Sequence, residues 1–317
     1  MIFERNLEDN LFALSCELKN KTYHHSEYSL FFINDPKHRR IHKATVRDRV
    51  VHHAVYRILY PIFDPSLIFD SYSCRLDKGT HKAVKRLTDF TRKVSHNHTR
   101  PCFVLKCDIK KFFASVDHSI LLEIIRRRIK DKDVIWLIGE IIASFPRLWQ
   151  ESLSMFRKGL PIGNLTSQLF ANIYMNEFDR FVKHKLIIKK YIRYTDDFVM
   201  VSADKTKLIK LLPQLRWFLR EKLKLEVHPH KISIRKLSQG IDFLGYVILP
   251  FHCRVRTKTK RRTFKKLKHK VEEYKAGLIL KYTLEQSLHS SIGILKHANC
   301  YKLQNKLKNQ FWLWLGG

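Results

Sequence analysis

The stretch that decides the fold is YIRYTDDFVMVS, residues 191–202. Two runs of β-forming residues, 192–194 and 198–201, flank an adjacent pair of aspartates. This reads as a hairpin with Asp196 and Asp197 at its turn. Aspartate is a common turn residue, so a solvated tip is one reading. The other is a metal site, because two carboxylates that repel each other are held together well by a divalent cation.

Working upstream, residues 100–113, RPCFVLKCDIKKFF, read as a strand. Phe103, Leu105, Cys107 and Ile109 point one way, and Val104, Lys106, Asp108 and Lys110 the other. Asp108 therefore stands near a strand end on the more polar face. The intervening sequence is helical over 118–145 with a break near 130–133. A Gly/Pro turn, GLPIGN, then opens a helix that Asn164 or Thr166 can cap. Packing the strand against the hairpin would gather Asp108, Asp196 and Asp197 into one cluster. Such a cluster suits two Mg²⁺ ions, with Mn²⁺ as a substitute, in the arrangement used for phosphoryl transfer. Magnesium is hard, prefers oxygen and shares its sites with phosphates.

The rest of the chain agrees with a phosphate substrate. Of 317 residues, 61 are Lys or Arg and 29 are Asp or Glu, a net charge of +32. Self-repulsion of that size calls for a polyanionic partner, and nucleic acid is the default. Hydrophobic content of 44% excludes global disorder. No apolar run reaches the ~18–20 residues of a spanning helix, and MIFERNLEDN does not read as a secretory signal. Six cysteines without a CxxC pair read as reduced thiols in a cytoplasmic protein. The histidines are scattered, without ligand spacing. Residues 1 to about 60 read as largely helical around a basic extended piece, with a turn at Asp35-Pro36 and a helix that Pro61 ends. Its apolar positions are Val50, Val51, Ala54, Val55, Ile58 and Leu59. After Pro250 the composition changes: residues 254–270 hold ten Lys/Arg and no acid. The expected boundaries are 1–100, 101–252 and 253–317.

YTDD within an apolar hairpin, LKCDIKKFF upstream and LPIGNLTSQ between them resemble, in that order, the palm of a reverse transcriptase. YSCRLDKGTHKA resembles the fingers block, LKLEVHPHKISI the block with the family's lysine, and IDFLGYVI the primer-grip hairpin. The resemblance implies an α+β right-hand polymerase with fingers, palm and helical thumb, acting as an RNA-directed DNA polymerase. It implies metal binding by Asp108, Asp196 and Asp197, with Ile109 beside them and Asp197 the weakest direct ligand. Lys231 would protonate pyrophosphate. The incoming nucleotide would meet Arg75, Lys78, residues Ile109, Lys110, Lys111, Phe112 and Phe113, and also Ile162 and Gln168. Phe113 would act as the gate against ribose, with Phe112 in the core. Phe243, Leu244, Gly245 and Tyr246 would form the primer grip. Arg254, Arg256, Lys258, Lys260, Arg261, Arg262, Lys265 and Lys266 would hold the template–primer backbone.

IGNLTSQ has Ile162 and Gln168 where retroviral and group II intron enzymes usually have Gln and Pro. With DRVVHHAV, CRLDKGTHKA and SIGILKHANCYKL, it resembles the reverse transcriptases of diversity-generating retroelements. That subtype implies a template RNA, a DNA or RNA primer, a basic accessory protein, and errors at template adenines. A retron or defence-type enzyme is the alternative within the class. A non-catalytic RNA-binding protein on the same fold is the alternative outside it.

Overall fold

The computed structural model describes residues 2–34, 38–145 and 158–316. The turn expected at Asp35-Pro36 lies outside the described residues. The chain opens with α1 (Ile2–Arg5), α2 (Leu7–Lys19), the hairpin β1 (Ser29–Ile33) and β2 (Arg39–Lys43), and α3 (Val46–Phe63). Next come α4 (Thr80–Val94), β3 (Phe103–Asp108), α5 (Phe112–Ser115), α6 (His118–Arg126) and α7 (Lys132–Ala143). Then follow α8 (Leu165–Arg180), β4 (Tyr191–Tyr194), β5 (Asp197–Ser202), α9 (Lys205–Leu223) and β6 (Ser233–Lys236). The remainder is β7 (Ile241–Phe243), β8 (Tyr246–Ile248), β9 (Cys253–Val255), α10 (Thr257–Lys275), α11 (Lys281–Lys296) and α12 (Tyr301–Gly316). The strands form sheets in the orders β1-β2, β4-β5-β3-β6 and β7-β8-β9. Helices with small separate sheets make this the expected α+β class.

The chain divides into two interleaved units. The first comprises Met1–Lys78, Cys107–Phe198 and Lys210–Ile232; the second comprises Gly79–Lys106, Val199–Ile209 and Ser233–Gly317.

In the first unit, Thr45 caps α3 by accepting the Asp48 N–H. Val51, Val55, Leu59 and Phe63 make its buried stripe. Ile58, expected on that stripe, is 51% exposed. Pro61 does not end the helix, which continues to Phe63. A proline removes one backbone bond, and burial of Phe63 keeps the last turn wound. The same helix carries a buried polar chain. Asp48 accepts from the Tyr23 hydroxyl at 2.8 Å and the Thr45 hydroxyl at 2.6 Å. The His25 and His52 rings meet at 3.0 Å, and His52 reaches Thr166 of α8 at 2.5 Å. Burial and the neighbouring His25 pull His52 down to about 4, so it links α3 to α8 as a neutral ring. Helix α8 is buried nearly all round, from Thr166 to Asp179. Asn164 is its N-terminal flanking residue but makes no side-chain cap; its amide donates to the His42 carbonyl instead.

In the second unit, Ala83, Val84, Leu87 and Phe90 form the apolar face of α4. Strand β6 pairs antiparallel with β3 from Phe103↔Lys236 to Lys106↔Ser233. Strand β9 pairs antiparallel with β8, so the change of composition near residue 252 is not a break in this sheet. Helices α10 to α12 close over Leu267, Val271, Leu284, Leu295, Leu307 and Phe311. All six cysteines are free thiols. Among the described residues no helix is long and apolar enough to cross a membrane.

Candidate active site

Asp108 is the last residue of β3, and its side chain is 13% exposed. Two segments of the first unit flank it. On one side, Ile109 N–H donates to the Asp196 carbonyl at 3.3 Å. On the other, the chain after α9 runs alongside: Lys110 N–H donates to Glu226 O and His228 N–H to Asp108 O, both at 2.8 Å. This second segment brings the Lys231 ammonium to 2.6 Å from Asp108 Oδ1. Lys231 is therefore an ion-pair partner of the first carboxylate.

The hairpin turn consists of Thr195 and Asp196, and Asp197 is already the first residue of β5. This moves the turn by one residue from the expected Asp196–Asp197. The reason lies in the backbone: Thr195 takes a positive φ of 55°. A β-branched residue in that region is strained and persists only where its surroundings enforce it. They do so here. Arg193 is completely buried and forks onto Asp179 at 2.8–2.9 Å, with the Tyr191 hydroxyl donating to the same carboxylate. The guanidinium also donates to the Thr195 carbonyl at 3.1 Å, to Asn172 Oδ1 at 3.1 Å and to Ser71 Oγ at 3.0 Å. The Thr195 hydroxyl donates to Ser73 Oγ at 2.6 Å. The turn that presents Asp196 is thus held from beneath by one arginine. Sequence reading missed Arg193, Asp179, Asn172, Ser71 and Ser73. The one available signal was an arginine between apolar residues of a strand, which must find a buried acid; nothing in the spacing said which.

The carboxylates feel one another. Burial, then Asp108 and Asp197, push Asp196 up to about 6. Among the described residues no three His, Cys, Asp or Glu side chains already form a ligand cage. The donor set nevertheless fits a hard divalent cation: it is all carboxylate oxygen, and positive charge would relieve the repulsion that raises Asp196. Burial pushes the adjacent Cys107 thiol up to about 12.

Asp196 holds its proton more tightly folded than unfolded, so its contribution is most favourable below about pH 4 and is lost as pH rises through about 6. Without divalent cation at pH 7.5, Asp196→Asn should be more stable than wild type by about 1–2 kcal/mol and melt correspondingly higher. The gain should disappear toward pH 4, and adding Mg²⁺ should raise the wild-type melting temperature but not the variant's. Melting curves at the two pH values check this; an equal gain at both would contradict the carboxylate cluster.

The other expected residues separate by role. Phe112 is buried, as expected, and Phe113 is half-buried, with the rings edge to face. Phe113 O accepts from Leu160 N–H. Ile162 is half-buried, its carbonyl accepting from His42 N–H at 2.9 Å, while Gln168 is exposed. A side chain at Gly163 would come within 2.8 Å of Ile41, which fixes this loop against β2. Arg75 is turned inward. Its guanidinium meets Asp64 at 2.7 Å and the carbonyls of Ile68 and Ser71, with 8% exposure. The structure places it as a loop brace, where the sequence suggested a phosphate clamp. Lys78 donates to Phe69 O at 3.0 Å and lies over that ring.

The remaining residues belong to the second unit. Leu244 and Gly245 form the β7–β8 turn with φ of 50° and 90°, the conformation a tight hairpin favours. Phe243 and Tyr246 face the core, and the Tyr246 hydroxyl donates to Ile294 O at 3.0 Å. Only the turn itself is presented. On α10, Thr263, Leu267 and Val271 are buried, whereas Lys258, Arg261, Lys265 and Lys266 are exposed. Arg256 pairs with Asp242 at 2.8 Å, and Arg254 donates to His252. Lys260 and Arg262 are half-buried.

Comparison with known proteins places this geometry. Residues 33–248 match the family model described as reverse transcriptase (RNA-dependent DNA polymerase). Protein YkfC of Escherichia coli is 26% identical over 243 residues, covering 64% of this chain and 61% of its own length. The group II intron-encoded protein LtrA of Lactococcus lactis is 26% identical over 307 residues, covering 76% of this chain and 50% of its own. The chain thus spans about half to three-fifths of these relatives. Among solved structures, apo telomerase from Candida tropicalis aligns over 92% of this chain and 59% of its own, with a TM-score of 0.59 at 14% identity. At that identity the likeness is one of fold. A family model that spans most of the chain and includes Asp108 and the Thr195–Asp197 turn decides the matter: the chain belongs to the reverse transcriptase family.

Proposed function

We propose that the protein is an RNA-directed DNA polymerase that extends a primer on template RNA by two-metal nucleotidyl transfer. The observation that carries this is the convergence of Asp108 with the Thr195–Asp197 turn, where Asp196 is raised to about 6 by burial and by its two neighbours. Asp108, Asp196 and Asp197 would hold the cations. Bound Mg²⁺ would lower the pKa of the primer 3′-hydroxyl and neutralise charge on the phosphates. The chain supplies the rest. The Arg193 network fixes the turn. The backbone amides of Ile109–Phe113 would follow the triphosphate, with the Phe113 ring against the sugar. Lys231, ion-paired with Asp108, would give a proton to the leaving pyrophosphate. Lys78 remains a candidate for the phosphates. Fingers, palm and thumb are assigned to about 1–100, 101–252 and 253–317, and the exposed cations of α10 to the template–primer backbone. The direct test is incorporation of labelled dNTP on a primed RNA, with and without chelator. RNA binding without incorporation in any divalent cation would favour the binding-only reading.

The finer reading is a retroelement enzyme that diversifies a target gene, working in the cytoplasm with a basic accessory protein. Its support is Ile162, a half-buried aliphatic side chain on the loop pinned to β2. An amide there could hydrogen-bond beside the nascent pair; isoleucine cannot, so wrong pairs lose less. Ile162→Gln should lower the error rate opposite template adenine by about tenfold, the scale of one lost hydrogen bond. Sequencing the cDNA from both enzymes checks it, and an unchanged adenine error rate would sink the idea.

Neutralising Lys258, Lys265 and Lys266 should weaken primed-template binding and flatten its salt dependence. The slope should fall by roughly 0.7–0.9 for each phosphate that the variant no longer neutralises. Titrations at several salt concentrations measure it.

A further inference from the structure

Three segments far apart in sequence surround one recess of the first unit, about 320 Å³ in volume. Lys110, Lys111, Lys158 and Lys224 line it, with Ser115 and Glu226. Four cations and one acid give it a formal charge of +3. The backbone positions these side chains firmly. Lys110 N–H donates to Glu226 O at 2.8 Å, and Lys158 bridges to Asp117. Lys111 and Lys224 both adopt a positive φ, 45° and 50°, a conformation that usually marks a position under demand from its surroundings. Glu226 meets Lys110 at 3.4 Å, but both side chains are about half exposed or more, so that pair is weak and an anion can displace it.

We propose that this recess binds inorganic pyrophosphate, the product of nucleotide addition, as it leaves the catalytic carboxylates. Lys110 follows Asp108 by two residues and opens the turn after β3, which keeps the two Cα atoms within roughly 7 Å. The volume lies at the lower end of the range for small-molecule pockets, ~300–1,000 Å³, which suits a two-phosphate anion better than a whole nucleotide. Lysine ammoniums are compact point charges that match phosphate oxygens from several directions. The proposal rests on the polymerase reading above.

The test uses the double variant Lys158→Gln/Lys224→Asn, since asparagine tolerates the left-handed backbone at 224. Two arms are needed: inhibition of dNTP incorporation by inorganic pyrophosphate, and calorimetric titration of inorganic pyrophosphate into the protein without dNTP. Pyrophosphate should bind and inhibit about tenfold more weakly in the variant, equivalent to about 1.4 kcal/mol. The KM for dNTP should stay within about twofold, and Lys158→Arg should retain wild-type inhibition. Unchanged pyrophosphate binding would overturn the proposal. So would a KM for dNTP that rises in proportion, since the recess would then hold the triphosphate tail. A loss confined to primed-template binding would make it a nucleic-acid contact and overturn it too. If neither protein incorporates dNTP, the polymerase reading fails and the calorimetric arm alone decides whether the recess takes pyrophosphate.

Discussion

Asp196→Asn should abolish RNA-templated incorporation, reducing the rate at least ~10³-fold, the scale of removing a principal electrostatic group from a transition state. Binding of the primed RNA should hardly change, because the cations proposed to grip it are on α10. The substitution keeps shape and removes only the charge that would hold a cation. Asp108→Asn should act in the same direction, with an added effect: it frees the Lys231 ammonium now at 2.6 Å. Asp197→Asn should be the mildest, since Asp197 is a strand residue beyond the turn. Single-turnover incorporation checks the ranking, alongside binding by fluorescence anisotropy. Equal rates for wild type and Asp196→Asn would place the chemistry elsewhere.

Arg193→Met should cost about 3–5 kcal/mol of stability, because it leaves the fully buried Asp179 carboxylate without its cation. At roughly 2–4 °C per kcal/mol for a domain of this scale, the melting temperature should fall by roughly 6–20 °C. Arg193→Lys should recover only part of this, since lysine keeps the charge but cannot fork onto Asp179 while reaching the Thr195 carbonyl. The double variant Arg193→Met/Asp179→Leu should be more stable than Arg193→Met, as a buried pair replaced by apolar side chains is often near neutral. It should still incorporate dNTP slowly, because the Thr195 carbonyl then loses the guanidinium that helps hold its positive φ. A single-variant cost below ~1 kcal/mol would remove the proposed role of this network.

What could be read in advance follows the range of the interactions involved. Strand β3 ending at Asp108 and the break between α6 and α7 depend on local alternation and turn residues, while the core position of Phe112 and the β7–β8 hairpin came with the family resemblance. They appear where expected. The turn at Thr195–Asp196 differs by one residue because a buried arginine, a tertiary feature, imposes the backbone at Thr195. Arg75 was assigned from the resemblance of YSCRLDKGTHKA to the fingers block. Its partner Asp64 lies 11 residues away across a loop, which no periodicity reveals. Pro61 reads as a helix stop, and burial of Phe63 overrides it. The Arg193–Asp179 fork and the four-lysine recess join segments whose neighbourhood exists only in the folded chain.

The central claim is that Asp108 and the Thr195–Asp197 turn form one cation site for DNA synthesis. It is tested most directly by titrating Mn²⁺ into the protein bound to primed RNA and a non-reactive dNTP analogue, followed by electron paramagnetic resonance. Wild type should take up Mn²⁺, and Asp108→Asn/Asp196→Asn should lose that uptake while still holding the RNA. Equal Mn²⁺ binding by both proteins would contradict the claim.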